Sequence, residues 1–259
     1  MHKRGQITVF IIVGMLLIGV TALIFFLTKI TTITTLSAAT PANSAASLKN
    51  YLTQCLEKTA QEGISLIGLQ GGYYRVPKET LVGHFSFDTP VYFATPKAVP
   101  DIKSIEKELA VYIEENLGSC TKHFITFQEQ GMQVVEGAKK AKINIRPGKI
   151  QVNLHYPLTI KQQTQETALE DFSATIPLDF FQFHSWVEET FAVQQESPES
   201  IPLGELMHLA YKNKYNLEVD NLNQNTVQYL FLFDQQTEDN TPFIFSYAIQ
   251  YPWTEEDLK

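Results

Sequence analysis

The short signatures that announce chemistry are missing from this chain. It has no Gly-x-Ser-x-Gly elbow, no His-Glu-x-x-His pair, no phosphate loop with its lysine and no Cys-x-x-Cys pair. The signatures of serine hydrolases, zinc peptidases, nucleotide hydrolases and dithiol oxidoreductases are therefore absent. With two cysteines in 259 residues, Cys120-Thr-Lys-His123 finds no second ligand pair to complete a zinc site. No Asn-x-Ser/Thr sequon occurs, which excludes N-glycosylation. Positive charge is scarce as well. From Ile30 onward 17 Lys and Arg stand against 28 Asp and Glu, a formal charge of −11, and such a surface repels nucleic acid.

Between Arg4 and Lys29 there is no ionisable residue at all, and here absence becomes a positive signal. Residues Ile7 to Leu27 (ITVFIIVGMLLIGVTALIFFL) include 15 Ile, Leu, Val or Phe among 21. A helix of that length spans about 31 Å, close to the ~30 Å of a bilayer's hydrocarbon core. On an insertion scale those side chains favour the membrane by about 5 to 9 kcal/mol at the bilayer centre. His2, Lys3 and Arg4 on one flank and Lys29 alone on the other keep the N-terminus cytoplasmic and send the rest outside. The expected order is a basic leader at 1–6, a transmembrane helix at 7–27, a stalk at 28–46 and an extracytoplasmic domain at 47–259. Ser37-Ala38-Ala39 offers the alternative of a secretory cut behind an unusually long apolar core.

The start MHKRGQITVF resembles the class III, prepilin-type signal of archaeal type IV pilin-like proteins, in which a short basic leader ends in Gly and the hydrophobic helix stays in the mature chain. The resemblance implies a cut between Gly5 and Gln6. Where many pilins carry a Glu five residues into the mature chain, this one has Phe10, a departure that bears on filament assembly more than on anchoring. An uncleaved signal anchor is the simpler reading of the same residues. Together with this start, Tyr51-Leu-Thr-Gln-Cys55-Leu-Glu-Lys-Thr-Ala60 and Leu66-Ile-Gly-Leu-Gln-Gly-Gly-Tyr-Tyr74 look like a group of archaeal membrane-anchored surface proteins. That resemblance implies location and architecture but no activity.

The uncharged Thr31–Ala46 segment, with Pro41 in its middle, reads as linker. Leu48, Tyr51, Leu52, Cys55, Leu56, Ala60, Ile64 and Ile67 then recur at helical spacing. Ser44 or Ser47 is placed to cap that helix and Gly68 to end it. The glycines at 68, 71 and 72 lack the lysine of a phosphate loop and read as a stop and turn. A second helix is expected after Asp101. Ile105, Leu109, Tyr112, Ile113 and Leu117 would face inward, Glu106, Lys107, Glu108, Glu114 and Glu115 would face water, and Gly118 would supply the stop. Cys120 then falls just past that stop. In an exported domain Cys55 and Cys120 suggest one disulfide; two buried thiols are the alternative.

From Cys120 on, the apolar period changes to two. Lys142–Ile145 and Lys149–Tyr156 flank Pro147-Gly148 and predict a hairpin. Phe172, Ala174 and Ile176 mark another strand after a polar Gln/Thr loop, helices are expected at 178–195 and 203–211, and three strands close the chain. The central one, Thr226–Phe233, is apolar on both faces. The expected class is α+β, an N-terminal transmembrane helix followed by an antiparallel sheet with packed helices.

Few residues stand out as candidates for chemistry. His155 shares a polar strand face with Gln151 and Asn153, and the lysines at 139, 140, 142 and 149 read as protection of a sheet edge. Asp234–Asn240 has oxygen ligands without the spacing or glycine of a calcium loop. The sequence calls for no cofactor and no nucleic acid. Its expected partners are the lipid bilayer and either envelope proteins or further copies of itself. The expected role is that of an anchored surface protein, structural or interacting. An anchored module binding a peptide or glycan through the aromatic segment 73–93, or an extracytoplasmic enzyme with a dispersed site, is the competing reading.

Overall fold

The computed structural model describes residues 41–77, 81–84, 90–92, 99–236 and 242–253, with side chains placed from Ala45 on and backbone alone for 81–92. The proposed anchor and the Gly5-Gln6 junction lie outside the described residues. Among the described residues no helix is long and apolar enough to cross a membrane. The domain from Ala45 onward is α+β, with antiparallel sheets and helices packed on them.

Helix α1 (Pro41–Leu69) buries Leu48, Leu52, Cys55, Leu56, Ala60, Ile64 and Ile67, the stripe its sequence spacing sets. It starts at Pro41, so the last six residues of the expected stalk are helical. Proline suits a first turn because its fixed φ is helical and its missing N–H has no partner there anyway. Gly68 does not end the helix. A Cβ at that position would stand 2.4 Å from the Ile244 carbonyl oxygen, so glycine serves the close approach of α1 to a strand. The stop comes at Gly71 and Gly72, both at positive φ, with Gly72 N–H donating to the Ile67 carbonyl.

Helix α2 (Ile102–Thr121) is capped by Asp101, whose carboxylate accepts from Ser104 N–H at 2.7 Å. It runs past Gly118 and ends at Lys122, which takes the left-handed conformation. Cys120 therefore lies in the helix's last turn. Two short strands, β1 (Leu81–His84) and β2 (Pro90–Tyr92), pair antiparallel between these helices.

The first larger sheet is built on β5 (Lys149–Gln162). Along one side it pairs with β6 (Gln165–Ile176). The other side is shared by β4 (Lys140–Arg146) along its first half and β3 (Gln133–Glu136) along its second. The stretch expected to be a polar Gln/Thr loop is ladder instead, turning only at Gln163 and Thr164. Cross-strand main-chain bonds hold such an exposed extension without any apolar alternation. Ile150, Val152, Leu154, Tyr156, Phe172, Ala174 and Ile176 form the buried face, and the odd-numbered neighbours form a polar one.

The second sheet has the order β7 (Asn216–Asn221), β8 (Thr226–Gln236), β9 (Pro242–Gln250), with β8 central as its two apolar faces require. Helix α4 (Phe180–Glu196) lays aromatic rings on it: Phe183 stacks on Phe233 at 4.2 Å, and Phe191 meets Tyr247 edge-on at 5.6 Å. Each such contact adds about 0.5–1.5 kcal/mol beyond the area buried. Helix α5 (Leu203–Asn213) buries Leu206, Leu209 and Ala210 beside it. A five-residue helix α3 (Ile125–Glu129) precedes β3.

Candidate functional site

The carboxylates of α2 correct the expectation that this face looks only to water. Glu106 is buried, accepts from Ile145 N–H at 2.9 Å and holds Lys103 Nζ at 2.8 Å. Glu114 accepts from Ala141 N–H at 2.8 Å. Both donors lie on β4, whose other edge is paired to β5, so the helix closes the sheet edge that the lysines were expected to guard. Glu108 accepts from the N–H groups of Tyr74 and Arg75 at 3.0 Å each, and Glu115 holds the Arg75 guanidinium and the Tyr74 hydroxyl. Tyr74 and Arg75 at the start of the aromatic segment 73–93 are thereby committed to packing on α2; the side chains from 78 to 93 lie outside the described residues.

Cys55 and Cys120 stand at disulfide distance, their sulfurs 2.08 Å and their Cα atoms 5.6 Å apart. They join α1 to the last turn of α2, beside the Tyr51 hydroxyl, which donates to the Cys120 carbonyl at 2.9 Å. Directly after this junction Lys122, His123 and Phe124 all have φ between 47° and 57°. Left-handed backbone costs an L-residue with a Cβ about 1–2 kcal/mol, and the fully buried Phe124 ring holds the turn in place. Beneath the turn Glu136 accepts from the Tyr156 hydroxyl, and His123 Nδ1 lies 3.4 Å from the same carboxylate. Burial first, then the Glu136 hydrogen bond and charge, pushes the Tyr156 phenol far above its ordinary range. This cluster fastens the turn to the sheet.

The exposed face of the first sheet gathers polar groups of a different kind. From Gly137 to Gln165 the chain carries six Lys and Arg and no Asp or Glu, within a protein of net charge −8. The hairpin β4–β5 concentrates these cations, and even sets Arg146 directly opposite Lys149, a like-charge pairing that a sheet tolerates at some expense. Strand register builds two polar rows across three strands. Lys140, His155 and Asp171 form one; Lys142, Asn153 and Ser173 form the next. His155 Nδ1 lies 2.9 Å from Asp171 Oδ1. Between the rows is a shallow cavity of about 360 Å³.

Its curvature has a local cause. Tyr156 and Pro157 of β5 together oppose Glu170 of β6, a bulge one residue beyond the His155–Asp171 pair. On the other side β3 and β4 break at Gly137, whose N–H donates to the Pro157 carbonyl at 2.8 Å. A Cβ on Gly137 would stand 3.0 Å from that oxygen. Proline fits a bulge because it has no N–H to give the ladder.

Of the residues singled out from sequence, His155 lies in this site with Asn153 beside it, as do Lys140 and Lys142, which were expected only to guard a sheet edge. Asp171 and Ser173 were missed. Alternation along β6 places them on one face, but only the register with β5 brings them to His155. His184 is buried, its Nε2 2.7 Å from the Pro100 carbonyl. The Asp234–Asn240 loop, with its oxygen ligands, lies mostly outside the described residues. At its start Gln235 is used structurally, accepting from Asp179 N–H and donating to the Pro177 carbonyl. Among the described residues no group of three or more potential metal ligands occurs. The chain matches no family model, no curated protein and no solved structure.

Proposed function

We propose that this chain is a single-pass membrane protein, its N-terminus cytoplasmic and its α+β domain displayed outside, where it works as a structural or interaction module of the cell envelope. The Cys55–Cys120 pair is the observation that carries this reading. Cross-links of this kind persist in oxidising, extracytoplasmic surroundings and are rare where glutathione and thioredoxin keep thiols reduced. The apolar run 7–27 and its basic leader supply the anchor and its orientation. Pilin-like processing at Gly5-Gln6 belongs to the same proposal, with self-assembly as its consequence.

A binding role is favoured over a purely structural one by the polar face of the first sheet, which concentrates positive charge on an acidic domain. The binding surface is thus proposed on β4, β5 and β6 rather than on the aromatic segment 73–93. External protease applied to intact cells tests the placement: it should degrade the domain while leaving a membrane-embedded fragment that contains the apolar run 7–27. Full protection of the domain would overturn the reading. Intact mass and N-terminal sequencing of the protein from native membranes test the processing. A chain beginning at Gln6 supports pilin-like handling, and one beginning at Met1 or His2 leaves a plain signal anchor.

A further inference from the structure

The cavity on the polar sheet face is unlike the rest of this acidic surface, and its lining has a definite chemistry. Lys140 and Lys142 point from the same side of β4, two residues apart, which places their stems about 7 Å from each other. Lys140 Nζ has only a distant carboxylate, Glu114 Oε2 at 4.0 Å, and among the described residues Lys142 has none. Asn153 and Ser173 contribute an amide and a hydroxyl opposite each other across the β5–β6 ladder. Asp171 engages His155 through one oxygen, and its second oxygen is an acceptor on an 83% exposed side chain.

The polar side chains of the lining are Lys140, Lys142, Asn153, His155, Asp171 and Ser173. Leu154 and Phe172 reach the cavity only from the strands whose buried face they occupy. A site this shallow offers a ligand charge-assisted hydrogen bonds more than deep apolar burial. The Phe172 ring is buried, and the half-exposed His155 ring, hydrogen-bonded through its edge to Asp171, is the flat surface left against which a sugar ring would lie. About 360 Å³ is the low end of small-molecule sites. Two ammonium groups ask for an anion, and the amide, the hydroxyl and the free carboxylate oxygen ask for several hydroxyls.

We infer that this face binds a carboxylate-bearing saccharide, with Lys142 and Lys140 on the carboxylate and Asn153, Ser173 and Asp171 on ring hydroxyls. The inference deepens the binding role proposed above and rests on the domain's placement outside the cell. The wider acidity of the domain favours a short acidic segment over a long polyanion, which the remaining surface would repel.

The test is titration calorimetry on the full chain in detergent, using tri-galacturonic acid, the neutral galactose trimer and sodium sulfate as probes at low ionic strength. Binding of the acidic trimer is expected at sub-millimolar to millimolar concentration. It should weaken about tenfold in Lys142→Gln, as for a charge-assisted hydrogen bond, and again in Lys140→Gln, while Lys161→Gln is unaffected. Sulfate should compete weakly, and the neutral trimer should not bind. No heat with the acidic trimer, equal affinity for the neutral trimer, or binding that survives the double lysine variant would each overturn the assignment. The melting temperature of each variant, expected to be unchanged, separates loss of the site from loss of fold. The protease experiment on cells fails or succeeds independently, so a wrong placement and a wrong ligand class are told apart.

Discussion

The carboxylate of Glu106 lies buried in the domain and accepts a hydrogen bond from the main-chain N–H of Ile145, 39 residues away in sequence. This bond and its companion from Ala141 to Glu114 make a helix the neighbour of an edge strand. Replacing Glu106 by Ala leaves the Ile145 N–H with no acceptor and should cost about 1–3 kcal/mol. Glu106→Gln keeps an acceptor oxygen and should cost under ~1 kcal/mol, since it loses mainly the pairing to a mostly exposed Lys103. Denaturant unfolding of both variants distinguishes the two outcomes; equal losses would mean that charge, not acceptance, is what matters.

Cys55 and Cys120 are 65 residues apart in sequence. Closing such a loop restricts the unfolded chain by about 4 kcal/mol in the chain-entropy view. Reduction, or the Cys55→Ala and Cys120→Ala double variant, should lower unfolding stability by roughly that amount. A denaturation midpoint indifferent to reductant would show that the pair is not closed in the native protein.

Two glycines inside helices should respond to alanine with opposite signs. Gly68→Ala drives a methyl into the Ile244 carbonyl and the Phe243 ring, and should destabilise by about 1–3 kcal/mol. Gly204, in the first turn of α5, faces open space, with nothing within 4 Å of where a methyl would stand. Gly204→Ala should therefore stabilise by a few tenths up to ~1 kcal/mol. Thermal melts of the pair check this; a neutral Gly68→Ala would mean that α1 can draw back from β9 freely.

Alkaline pH should unfold the domain through its tyrosines. Burial raises the phenols of Tyr229, Tyr247, Tyr251, Tyr215 and Tyr156 above their usual value of 10.0. In the native state they keep their protons at a pH where the unfolded chain has begun to lose them. The native state then binds more protons, so stability is intact below about pH 10 and falls as pH rises beyond it. Ultraviolet titration should show these phenols ionising together with unfolding. Smooth ionisation of all tyrosines with the fold intact would contradict the burial argument.

What the sequence made legible was periodic and local. The stripe from Leu48 to Ile67, the hairpin at Pro147-Gly148 and the two-faced apolarity of β8 each follow from spacing within one element, and each is found. What escaped was relational. Glu106 and Glu114 repeat on one face of α2 like any solvated acids, and only the unpaired edge of a distant strand makes them acceptors. Gly68 resembles a helix stop until β9 is seen against it. The polar ladder at 162–168 carries no apolar signal because its stability lies in main-chain bonds. The cavity was half visible: His155 and Asn153 were on one strand face and Lys140 and Lys142 were read as edge protection on the same hairpin, but Asp171 and Ser173 joined them through register alone.

The closing of β4 by α2 also bears on how neighbouring molecules can meet. A sheet grows by adding strands at an open edge, and here the β4 part of one edge is already occupied by a helix. The other edge is β6, which among the described residues pairs only with β5. It carries Glu166, Glu170 and Asp171 and no Lys or Arg. Two copies brought together along β6 would set acid against acid, with no cation on either strand to relieve it. Continuation of this sheet from subunit to subunit through β4 or β6 is thus discouraged, and an array joined by strand addition would have to use another edge, such as that of β7.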